Sequence, residues 1–214
     1  MIAQTGSSLR LGLDAGSLAV DRRGMGRLAR GVLRAAAERG DIEIVLLADR
    51  REHREALALE FPYPIAATKS AARRDRYDVV WFPFNGARFS TSAPSLVSLH
   101  DAFAFSLPHR EPIARAREQG PIRRAARDAT RVLTHSTWAR DEIEHHLHVE
   151  RDRIATIAPS PDPFWFPAGG DALPAGIAGS RFALFVGPSE ARKNVRVAID
   201  GCARAMREPG EGGF

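Results

Sequence analysis

The stretch that decides the fold is Ile42-Glu-Ile-Val-Leu-Leu-Ala48. It is nearly apolar throughout, and an exposed strand would alternate apolar with polar residues instead. A run of this length and composition is a strand covered on both faces, the signature of a parallel sheet between helices. Upstream, Gly26–Arg39 reads as a helix. Its apolar stripe falls on Leu28, Val32 and Ala35/Ala36, with Arg27, Arg30 and Arg34 on another face and Gly40 as the stop. Further upstream, Leu9–Asp14 reads as a strand closed by Asp14-Ala-Gly16. Downstream, Asp49–Glu60 reads as a helix.

The middle of the chain repeats this plan. Asp78–Phe82, Ser95–Leu99, Arg131–Thr134 and Arg153–Ile157 read as strands. Glu111–Asp128 reads as a helix interrupted near Gly120-Pro121. A second helix runs from Ser136, its N-cap, to about Leu147, with Asp141 and Glu142 toward its positive end. Alternating strands and helices imply an α/β, Rossmann-like parallel sheet with helices on both faces. Residues 158–180 then hold five prolines and four glycines, which neither a helix nor a central strand tolerates. Beyond them, Arg181–Val186 reads as a buried strand, and Val195, Ile199, Cys202 and Met206 fall on one helical face. The expected organisation is a domain over 1–157, a linker over 158–180 and the start of a second, truncated domain over 181–214. One strand and one helix cannot enclose a core.

The 214 residues carry 31 basic and 26 acidic side chains and a formal charge of +5; all but Lys69 and Lys193 of the basic set are arginine. The arginines run from Arg10 to Arg207, interleaved with acids, and a nucleic-acid stripe would cluster them. That spread counts against a nucleic-acid module, the third option, so no nucleic-acid partner is expected, and it leaves contact with an anionic membrane surface open. The single cysteine, Cys202, excludes an internal disulfide framework and a multi-cysteine zinc site, and suits a reducing, cytoplasmic setting. No signal peptide or spanning run is legible.

Ligands of open α/β sheets bind beyond the carboxyl ends of the strands, so polar residues just after strands are the first candidates. Gly24-Met-Gly26-Arg-Leu-Ala29 opens a helix where backbone amides can meet a phosphate. It also matches G-x-G-x-x-A, with Asp49 as a ribose acid. The nine residues Ala15 to Arg23, however, stand where a dinucleotide fingerprint needs a tight turn. Close helix packing is the alternative. His100-Asp101 follows a strand, where the imidazole can serve as acid, base or hydroxyl partner, or the pair can simply cap a loop. Gly187 to Asn194 combines a glycine turn, Arg192, Lys193 and a helix start, suited to a diphosphate or to an ordinary polar loop. His145, His146 and His148 lack the carboxylate or thiolate that would complete a metal site, so no metal is expected. Phe164-Trp-Phe166 reads as packing or a sugar platform, and no G-x-S-x-G elbow occurs.

Taken in order, Gly24-Met-Gly-Arg-Leu-Ala-Arg30, Leu96-Val-Ser-Leu-His-Asp101, Val132-Leu-Thr-His-Ser-Thr-Trp-Ala-Arg-Asp141, Arg153-Ile-Ala-Thr-Ile157 with Asp162-Pro-Phe-Trp-Phe-Pro167, and Leu184-Phe-Val-Gly-Pro-Ser-Glu-Ala-Arg-Lys-Asn194 resemble glycosyltransferase family 4. These are GT-B retaining enzymes. The resemblance implies two Rossmann-like domains, an acceptor side and a nucleotide-sugar side, and hexosyl transfer with retention and no cofactor or metal. It further implies an acceptor that is a sugar or a lipid-linked sugar, work in cell-envelope polysaccharide synthesis, and a place in the cytoplasm at the inner membrane face. By the same resemblance His100 and Asp101 stand in the catalytic motif. Gly24, Gly26, Arg192 and Lys193 line the donor diphosphate, whose charge the two cations neutralise. Two glutamates seven residues apart, which hold the donor in the family, have no counterpart: Glu208 and Glu211 lack that spacing. The expectation is an acceptor domain with a stump of the donor domain, inactive until a missing domain or partner chain completes it. A non-catalytic sugar- or partner-binding module is the alternative.

Overall fold

The computed structural model describes residues 8–72, 76–160, 182–187 and 193–207. By contacts the chain divides into two units, Met1–Asp162 and Pro163–Phe214. The first unit is built on β1 (Leu9–Asp14), α1 (Gly24–Ala37), β2 (Ile42–Leu47), α2 (Arg51–Glu60), β3 (Ile65–Ala66), β4 (Val79–Phe82), β5 (Ser95–Ser98), α3 (Phe103–Ser106), α4 (Pro112–Asp128), β6 (Arg131–Thr134), α5 (Thr137–Leu147) and β7 (Ile154–Thr156). The strands form one sheet in the order β3-β2-β1-β4-β5-β6-β7, and every pairing is parallel. This is the doubly wound, Rossmann-like arrangement the apolar strands imply.

Alternate residues of the strands feed two cores. On one face Leu13, Leu46 and Trp81 pack with Ala29 and Leu33 of α1 and Leu57 of α2. On the other Leu47, Phe82, Val97 and Val132 pack with Ile122 and Ala125 of α4 and Ile143 of α5. The helices change face between β1 and β4, where the strand order reverses. Crevices at such a point, outside the carboxyl ends, are where ligands bind in this architecture.

Three expectations are corrected. The buried face of α1 is Gly26, Ala29, Leu33 and Ala36, whereas Val32 is 40% exposed and Leu28 only half-buried. Small residues bring the helix close to the sheet, so close approach outweighs side-chain bulk in choosing the face. The helix α4 is not interrupted at Gly120-Pro121, because Pro121 lies inside it. Proline lacks the amide that would bond the preceding turn, yet its carbonyl accepts from Ala87 N at 3.3 Å, so the site packs into the loop after β4. That loop turns through Asn85 (φ 43°) and Gly86 (φ 133°), where a Cβ on Gly86 would lie 2.8 Å from the Pro121 carbonyl carbon. Finally, Phe182–Gly187 forms no strand, and Leu184 and Val186 are 79% exposed. A strand exists only through a neighbour's hydrogen bonds, and none is present there among the described residues.

Local chemistry explains the ends that were legible. Ser136 Oγ accepts from Ala139 N at 3.1 Å, as its N-cap position predicts. Glu111 caps α4 by accepting from Ile113 N at 2.9 Å, with Pro112 in the first turn. In the second unit α6 spans Val195–Arg207, preceded by Asn194 at φ 45°. Residues 161–181, with the Phe164-Trp-Phe166 run, and residues 208–214, with Glu208 and Glu211, lie outside the described residues. Among the described residues no helix is long and apolar enough to cross a membrane.

Candidate functional site

The carboxyl ends of β1 and of β4 to β7 carry the polar groups of the first unit. Asp14 ends β1, is 5% exposed, and accepts from Gly16 N at 3.3 Å. Burial pushes its carboxyl up to about 6, against the opposing pull of the Gly16 amide and Arg88. A turn from Ala15 to Asp21 follows, with Ala19 N bonded to Ala15 O at 3.2 Å and Asp21 N to Ser17 O at 2.8 Å. It stands where a dinucleotide fingerprint needs a tight strand-to-helix turn. Asp49, the other half of that reading, accepts from Thr68 N at 2.9 Å and Thr68 Oγ1 at 2.5 Å, which hold its carboxyl below the usual range. Its oxygens serve the loop after β3, and the dinucleotide reading falls.

Gly24 and Gly26 answer different needs. A Cβ on Gly26 would stand 2.0 Å from the Asp21 carbonyl oxygen, so this glycine is spent on close packing. A Cβ on Gly24 would meet nothing within 4 Å among the described residues. The first turn of α1 receives no side-chain cap from Arg23. The loop before it is clamped by Arg30, which sequence reading placed on a polar face. Its guanidinium donates to Leu18 O at 2.7 Å and Asp21 O at 2.6 Å and pairs with Glu60, which Arg22 also meets at 2.8 Å.

His100 follows β5 and is half-buried. Its backbone N donates to Asn85 Oδ1 at 2.7 Å, and its Nε2 lies 2.8 Å from the Pro83 carbonyl. A carbonyl only accepts, so Nε2 carries the hydrogen and Nδ1 is an acceptor in the neutral ring. Nδ1 lies 2.8 Å from Nε2 of His135, and Nδ1 of His135 lies 3.1 Å from the Ile157 carbonyl. Burial lowers the pKa of His100; the Pro83 bond and Asp101 oppose this, while His135 adds to it. Asp101 does not touch the ring: its Oδ1 accepts from Phe103 N at 3.1 Å and starts α3. Asn85 and His135 are the residues sequence reading missed. Each carried a signal, an Asn-Gly turn after β4 and a histidine directly after β6.

Arg192 lies outside the described residues. Lys193 is exposed in the second unit, just before Asn194, whose carbonyl accepts from Val197 N at 3.1 Å. His146 pairs with Glu142 at 3.5 Å and meets Ser106 at 3.2 Å, tying α5 to α3, while His148 ends α5 at φ 54°. Among the described residues no three of His, Cys, Asp and Glu gather as metal ligands.

No curated protein matches the chain. The family model described as Glycosyltransferase Family 4 matches residues 22–163. That span is about two-thirds of the chain and holds α1 with Gly24 and Gly26, the Asn85 turn, His100-Asp101 and His135 in the order the sheet brings them to one edge. With a parallel, doubly wound sheet and a match of that extent, the chain belongs to glycosyltransferase family 4.

Proposed function

We propose that this glycosyltransferase moves a hexosyl group from a nucleotide-sugar to an acceptor hydroxyl with retention, and that His100 meets the transferred sugar. The observation that carries the reading is the orientation of His100: Pro83 claims its Nε2–H, which leaves Nδ1 as an acceptor at the carboxyl edge of the sheet. A sugar hydroxyl takes Nδ1 by replacing the N–H of His135, donor for donor, so the tautomer of His100 need not change. In the transfer, the bond between anomeric carbon and diphosphate oxygen breaks with both electrons on oxygen. The acceptor oxygen bonds the same face of the carbon, and its proton departs with the diphosphate. The leading amides of α1 at Gly24 supply part of the positive field that this leaving group needs without a metal or other cofactor. Asp101 acts by starting α3 and fixing the turn that carries His100. The acceptor is a sugar or lipid-linked sugar, taken on the first unit in the cytoplasm at the inner membrane face.

The test is saturation-transfer NMR of the full chain with UDP-glucose and with GDP-mannose. Transfer to the hexose ring protons is expected for at least one donor, and its loss in His100→Ala. Absence of transfer from both, or transfer unchanged in His100→Ala, overturns the reading. A non-catalytic partner-binding module is the second reading. The observation in its favour is the apolar exposure along α6, where Val197, Ile199 and Met206 are more than 60% exposed.

A further inference from the structure

Four consecutive strands end on one string of hydrogen bonds. The Pro83 carbonyl follows β4, His100 follows β5, His135 follows β6 and the Ile157 carbonyl follows β7, with successive contacts of 2.8, 2.8 and 3.1 Å. Both outer contacts end on carbonyl oxygens, which only accept, so Nε2 of His100 and Nδ1 of His135 must each carry hydrogen. The inner contact, nitrogen to nitrogen, needs one more. Two neutral imidazoles hold two such hydrogens between them, and the complete string needs three. Neutral rings therefore complete two of the three contacts, and a single added proton completes the third. Burial keeps His100 toward its neutral form, so the inner hydrogen is donated by His135 to His100.

We propose that His135 is a positioning residue for His100: its Nε2–H pins the His100 ring with Nδ1 as acceptor, and one proton beyond two neutral rings joins the carboxyl ends of β4, β5, β6 and β7 into one edge. The bearing on catalysis rests on the reading of His100 as the sugar-binding residue, whereas the string itself does not. Of the groups packed about His100, Asp101 favours its charged form and His135 opposes it. The β4 turn brings the neutral Asn85 amide and Pro83 carbonyl, and among the described residues β7 brings the Ile157 carbonyl to His135.

Ring-nitrogen NMR of the full chain across a pH titration tests this, with His135→Gln and His135→Phe beside wild type and amide spectra to establish that each is folded. In wild type His100 is expected protonated at Nε2 and bare at Nδ1. The His135 ring opposes a second proton on His100, whereas a glutamine amide can turn its oxygen to accept that proton and phenylalanine leaves the ring buried with no acceptor. The second protonation of His100 should therefore occur at higher pH in His135→Gln than in wild type, with His135→Phe below His135→Gln. If the phenylalanine variant does not fold, the upward shift in His135→Gln alone decides. An unchanged midpoint, or a wild-type His100 protonated at Nδ1 near neutral pH, overturns the proposal. Adding UDP-glucose and GDP-mannose separates the two claims. If a bound donor leaves the His100 signals unmoved, the sugar-binding reading falls while the order of midpoints stands. If a donor moves them but the order is absent, the positioning role falls alone.

Discussion

Gly24 and Gly26 sit two residues apart on α1, and only one of them is held by a steric need. Gly26→Ala drives a methyl into the Asp21 carbonyl, and backbone on both sides leaves little room to yield. We expect a loss on the order of 2 kcal/mol or more, as for other overpacked sites. Gly24→Ala meets nothing within 4 Å among the described residues and removes chain entropy from the unfolded state, so it should be neutral or stabilise by up to ~1 kcal/mol. Chemical unfolding of the two variants in parallel checks the contrast. The motif Gly-Met-Gly was readable as a site and as packing; the second glycine packs against Asp21, and no described residue crowds the first. Arg30 shows what stayed illegible. Its guanidinium reaches backbone carbonyls at Leu18 and Asp21 and a carboxylate on α2, partners no helical wheel contains.

At the scale of elements, the strands were readable because parallel strands buried on both faces are close to continuous apolar runs, as Ile42–Leu47 is. Two short pieces escaped. The two-residue β3 and four-residue α3 are shorter than any periodicity that could announce them, and each is set by a tertiary contact or a cap such as Asp101. The buried face of α1 shares Ala36 with the expected stripe but is otherwise turned by about one residue, because a wheel weighted by side-chain size favours Leu28 and Val32 over Gly26 and Ala29. The corrected face makes a direct prediction. Leu33 is 1% exposed and Val32 is 40% exposed. Leu33→Ala should cost about 2–5 kcal/mol by the cavity it leaves, and Val32→Ala less than about 1 kcal/mol, as read by denaturant midpoints. Comparable losses at both positions would return the helix to the face its larger residues suggest.

At the scale of the whole molecule, several surface arginines among the described residues form local pairs, such as Arg39 with Asp41, Arg51 with Glu55 and Arg151 with Glu144. Exposed pairs of this kind are worth ~1 kcal/mol or less each, so the strongest single electrostatic lever on stability lies inside. Asp14 keeps its proton up to about pH 6 because burial opposes the anion. Its contribution is fully present below the ordinary value of 3.8 and is lost as the pH rises through about 6. The native state then holds a buried anion at a cost on the order of 2–3 kcal/mol. Asp14→Asn removes that term. Urea unfolding at pH 4 and pH 8 should show the variant gaining on wild type by that amount at the higher pH, and an equal difference at both would exclude the buried-anion cost.

The string across β4 to β7 also implies a pattern of tolerance to substitution. Pro83 and Ile157 enter it only through main-chain oxygen, which every residue type possesses. His100 and His135 enter it through ring nitrogens that must accept at one point and donate at others. In a library saturated at these four positions and selected for sugar transfer, the two ends should drift freely among residues that keep the backbone path. The two middle positions should stay nearly invariant and change, where they change at all, together.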